Sequence, residues 1–116
     1  MKRSFVQCAE LRLETDADPA APGGAVTRAL CGSWNHEGTC RWPHWTAAQW
    51  DDGRGMVRVV FVAEADEEGQ VRALIERALT GGECVGPDRK VSRWKAMGHG
   101  AGALSESEED WGKKHC

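Results

Sequence analysis

The run Val57-Arg-Val-Val-Phe-Val-Ala63 constrains this chain more than any other seven residues. Its Val and Phe side chains fall on both faces of an extended strand. The segment therefore needs cover above and below, and a place inside a sheet. A helical pattern follows directly: Val71, Leu74, Ile75, Ala78 and Leu79 recur at i, i+3, i+4, i+7 and i+8. Such a stripe lays an amphipathic helix across a sheet. Asp66 is the expected N-cap, Glu67 and Glu68 suit the positive end of the helix dipole, and Gly81-Gly82 stops the helix.

Around this pair the remaining elements read as strands. Residues 3–14 alternate, with Phe5, Ala9, Leu11 and Leu13 on one face. Asp16 to Gly24 holds two prolines and a Gly pair and reads as a loop. Residues 25–34 read as a second strand, antiparallel to the first across a long hairpin. A last strand spans 83–95, broken by a turn at Gly86-Pro87-Asp88. The Gly98-His-Gly-Ala-Gly102 run reads as flexible, and Ser105-Glu-Ser-Glu108 matches a capping box loosely, giving either a short helix or a disordered end. The expected fold is two-layer α+β: one mostly antiparallel sheet of about four strands with one main helix on one face. A single domain over 3–95 and a flexible acidic tail over 96–116 complete that expectation.

Charge and cysteines narrow the function. Fifteen basic and eighteen acidic residues leave a formal charge of −3, which speaks against a dedicated DNA-binding domain. Arg outnumbers Lys ten to five, so a local patch for carboxylate or phosphate is open. Five cysteines, irregularly spaced, with no signal-like apolar stretch in Met1–Gln7, predict free thiols and a cytoplasmic protein. The longest uncharged apolar run is Val59–Ala63, too short for a membrane-spanning helix.

The informative segment is 31–50, with four of the six tryptophans, two of the four histidines and two of the five cysteines. Three chemistries compete for it. Cys31, His36, Cys40 and His44 offer thiolate and imidazole at spacings of five, four and four, the donor types of a zinc or other transition-metal site. Trp34, Glu37, Arg41, Trp42 and Trp45 offer walls and charges for an organic ligand, if Trp42-Pro43 opens a helical turn that puts Trp42 and Trp45 on one face. His36, Cys40 or His44 as acid–base or nucleophilic groups would make the chain a small enzyme, although Pro43 disfavours the turn that a Cys40–His44 pair requires. Single-stranded nucleic acid ranks below these, since the net charge is negative and the strands hold only two Phe.

These observations predict a small accessory or regulatory protein that binds a metal ion, a small molecule or a partner protein through residues 31–50. The alternative is an enzyme in the same Trp-lined segment.

Overall fold

Along the chain the elements are β1 (Lys2–Leu13), α1 (Ala21–Cys31), β2 (His44–Asp51), β3 (Arg54–Glu64), a 3-10 turn (Ala65–Glu67), α2 (Glu68–Thr80), β4 (Glu83–Val85), β5 (Val91–Ala101) and α3 (Glu106–His115). This computed structural model describes residues 2–31, 42–86 and 89–115; for Cys31 and His115 it describes the backbone alone. The five strands form one antiparallel sheet in the order β2-β3-β1-β5-β4. Because β3 lies between β1 and β2, the β1-α1-β2 crossover is split, and β3-α2-β5 repeats the device. This is the connectivity of the split β-α-β motif. The α+β class and the antiparallel sheet are as expected; the structure adds a fifth strand and two further helices.

Cross-strand partners share a face, so the register sorts the side chains. Phe5, Ala9 and Leu11 of β1 lie level with Phe61, Val57 and Gly55 of β3 and face α1 and α2. Val71, Ile75 and Leu79 of α2 are fully buried against that layer, as the stripe requires. Val60 and Val62 point the other way and are also 1% exposed, because α3 lies over that side. The two-faced run of β3 is thus covered twice.

The expected strand over 25–34 is instead part of α1. Pro22, Val26 and Leu30 stand four apart and are buried together, a helical stripe that the Pro and Gly residues at 22–24 disguise. Pro22 is tolerated because first-turn N–H groups have no intrahelical acceptor. Asp18 prepares the entry by accepting from the Ala20 N–H at 2.9 Å. The turn between β2 and β3 is a two-residue hairpin, Asp52-Gly53, with φ of 53° and 80° at its two positions. Positive φ at both is the type I′ geometry, whose twist matches that of the strands.

The C-terminal part carries more secondary structure than composition suggests. β5 continues through Gly98, His99 and Gly100 to Ala101, with one register shift opposite Glu10/Leu11, because ladder bonds need only backbone groups. Ser105 then caps α3: its hydroxyl accepts from the Glu108 N–H at 3.3 Å, and the Glu108 carboxylate accepts from the Ser105 N–H at 2.8 Å. The loosely matched capping box is a complete one. Residues 96–116, read as a tail, therefore carry half of β5 and all of α3. No described helix is long and apolar enough to cross a membrane.

Candidate ligand-binding site

The end of the 31–50 segment is a strand, contrary to the helical turn expected from Pro43. Trp45, Thr46 and Trp50 favour extended backbone, and β2 pairs with β3 from His44↔Phe61 to Asp51↔Arg54 without a break. Alternation then separates the aromatic groups. Trp42 is 5% exposed in the core beneath the helices, whereas Trp45 is 43% exposed on the opposite face, 6.4 Å from the Trp111 ring of α3. Trp42 and Trp45 do not share a pocket.

His44 is buried and occupied. Its Nδ1 lies 3.2 Å from the Trp42 carbonyl oxygen, which can only accept, so that nitrogen donates. Nε2 lies 3.1 Å from the Thr27 hydroxyl. An imidazole with both nitrogens engaged pins β2 to α1. Ligating a metal would require it to give up one of those bonds. Trp34, His36, Glu37, Cys40 and Arg41 lie outside the described residues, as does the Cys31 side chain. Among the described residues no three His, Cys, Asp or Glu side chains gather as a metal site. Cys8 and Cys84 are free thiols, and burial pushes the Cys84 thiol up from its ordinary pKa.

A feature that the sequence did not show lies at the hairpin end of the sheet. The register sets Lys95 of β5 opposite Arg12 of β1, and Arg12 opposite Arg54 of β3. Three cations thus stand abreast on one face, with Asp51 of β2 next in the row. All three are exposed, and none takes part in an ion pair among the described residues. Arg12 and Lys95 line a cleft of about 1120 Å³ at the sheet end together with Glu14, Asp16, Trp50 and Trp94, and Arg54 lies outside that lining.

Two indoles stiffen the cleft wall. Trp94 donates Nε1–H to the Leu79 carbonyl at 2.8 Å. Trp50 lies flat over Gly55, where any Cβ would collide with the ring. Trp50 is half-buried, so one part of its ring packs on the core and the rest borders the cleft.

Two arginines of the sheet and α2, Arg58 and Arg72, are spent on structure. Arg58 pairs with Glu108 at 2.7 Å and donates to the Ala103 carbonyl at 2.7 Å. That bond holds the Glu108 carboxyl below the ordinary carboxylate range and raises Arg58. Arg72 binds Glu68, the Val6 carbonyl and the Gln7 side chain, and its guanidinium lies over the Phe5 and Phe61 rings. Against these, Arg12, Arg54 and Lys95 stand out. Period-two alternation could have put Arg12 on a polar face, but the neighbours it meets there depend on register, which no single segment encodes. No family model, curated protein or solved structure matches the chain.

Proposed function

We propose that this chain is an accessory or regulatory binding protein for a small organic dianion, a dicarboxylate or a phosphate monoester, seated on Arg12 and Lys95 beside Arg54. The observation that carries this reading is the row of three adjacent cations without an ion pair among the described residues, two of which, Arg12 and Lys95, line the cleft at the sheet end. Side chains directly opposite each other on neighbouring strands have Cβ atoms about 5 Å apart, and like charges at that distance destabilise the sheet. A bound dianion converts that repulsion into attraction. Guanidinium supplies a planar bidentate fork and ammonium a point charge, which together suit a carboxylate or phosphate. Trp50 borders the same cleft from the other face of the sheet.

The test is a screen by melting temperature and tryptophan fluorescence at constant ionic strength, with dicarboxylates and phosphate monoesters against chloride. A dianion that raises the melting temperature of the parent chain and leaves an Arg12→Gln variant unmoved supports the reading. Equal responses in both overturn it.

A second reading keeps the functional centre at residues 31–50, on the strength of their density of Cys, His and Trp. Here Cys31, His36 and Cys40 would hold a zinc or other transition-metal ion, or His36 and Cys40 would do acid–base or nucleophilic chemistry. His44 is the weakest member of both sets, given its bonds to Thr27 and Trp42. Elemental analysis of chelator-free protein decides: near-stoichiometric metal lost in Cys40→Ala favours this reading, and its absence removes the metal half of it.

A further inference from the structure

The cleft that Arg12 and Lys95 line is not uniformly basic. Glu14 and Asp16, on the connection between β1 and α1, line it too, and Asp52 adds a third carboxylate at the hairpin. Opposite charges within reach of each other attract and pair. Here they do not: among the described residues, neither Arg12 nor Lys95 forms an ion pair with any of these carboxylates. Arg93, also in the lining, is already engaged by Glu83 at 3.2 Å.

Hydrogen bonds fix the backbone that carries the two charge sets. The Glu14 N–H donates to the Arg93 carbonyl at 3.0 Å, and the Ala17 N–H to the Glu14 carbonyl at 3.0 Å. The Asp18 N–H donates at 2.9 Å to the hydroxyl of Ser92, which is 2% exposed in β5. Residues 14–18 are thus tied to the strand that carries Lys95. On the hairpin side the Leu13 N–H donates to the Gly53 carbonyl at 2.7 Å. Cations and carboxylates therefore line one cleft on a braced backbone, which lowers the ordering cost of a ligand that bridges them.

Resting on the dianion reading above, we infer that the ligand also carries an ammonium group. The cleft takes an amino dicarboxylate or an aminoalkyl phosphate, with its anionic groups on Arg12 and Lys95 and its ammonium on Glu14 and Asp16. A plain dianion meets attraction from the cations and repulsion from the carboxylates that share the lining. A ligand of both signs is attracted by both sets. Ammonium only donates and carboxylate only accepts, so each contact is a charge-assisted hydrogen bond. The carboxylates suit an ammonium better than a metal ion. Calcium and magnesium take about six oxygen ligands in a close shell, and no three acidic, His or Cys side chains among the described residues gather as a metal site.

The test is calorimetry at constant ionic strength and mildly alkaline pH, on matched compounds that differ in the amino group. Aspartate is set against succinate, and phosphoethanolamine against ethyl phosphate; whichever pair binds distinguishes carboxylate from phosphate. The aminated member should bind about tenfold more tightly. N-acetylaspartate, which keeps the anions and loses the ammonium, should do no better than succinate. In a Glu14→Gln, Asp16→Asn double variant the advantage should vanish, with circular dichroism unchanged. Equal binding within both pairs, still lost in Arg12→Gln, overturns the ammonium and leaves the dianion reading standing. An advantage that persists in the double variant overturns the placement on Glu14 and Asp16. Binding by none of these compounds overturns the dianion reading and this inference together. Should the double variant fail to fold, the parent's preference and the N-acetyl control decide alone.

Discussion

Arg58 and Arg12 stand on the same face of one sheet, on neighbouring strands, and meet opposite fates. Arg58 lies under α3, where the buried Glu108 carboxylate takes two of its N–H groups at 3.2 and 2.7 Å. Arg12 lies at the other end, flanked by Arg54 and Lys95, with no acid opposite. One end of the face is closed by the chain's own helix and its charges are cancelled internally. At the other end the charges have no ion-pair partner among the described residues.

The largest effect that sharpens this contrast comes from removing α3. Ending the chain after Ala101 strips the cover from Val6, Val60 and Val62. The expected cost is about 4 kcal/mol, from apolar side chains returned to water, read as a lower midpoint in urea. A truncated chain as stable as the parent would make α3 an appendage.

Next comes the clasp itself. Glu108→Gln keeps the shape and removes the charge, and should cost about 1–2 kcal/mol. It should also change the acid response. The Glu108 carboxyl is held low by Arg58, so its contribution is complete above the carboxylate's unfolded pKa, about 4.3. That contribution is lost as pH falls through the lower folded value. Between about pH 5 and 3, the parent should therefore lose more stability than Glu108→Gln does. Parallel melting curves across that window would show that the clasp is not a source of acid lability.

The smallest effect has the opposite sign. Arg12→Gln relieves repulsion in the cation row, so in ligand-free buffer it should stabilise the fold by about 0.2–1 kcal/mol. Low salt should enlarge the gain, since screening shrinks the repulsion it removes. A loss of stability instead would mean that Arg12 already serves the fold, as Arg58 does.

The sequence made the core legible and the surface chemistry opaque, for one physical reason. Periodicity is local, so the two-faced run of β3, the alternation of β1 and the stripe of α2 could be read from residues a few positions apart. Pro22 and the two glycines masked the start of α1, whose buried stripe also rests on positions four apart. The cation row needs Arg12, Arg54 and Lys95 brought together by pairing across 83 positions, and only the assembled register does that. The density of Trp, Cys and His at 31–50 drew attention there. Of the described part, Trp42 and His44 fill the core and tie β2 to α1, while Trp45 faces the other way.

The most direct test of the central claim is a calorimetric titration of a dianion that stabilises the parent chain, repeated on Arg12→Gln, Lys95→Gln and Glu108→Gln. Binding should weaken at least tenfold in each of the first two, about 1.4 kcal/mol, and hold in the third. Binding that survives the loss of both Arg12 and Lys95, or that fails with Glu108→Gln, would contradict the assignment of the open end of the sheet as the working surface.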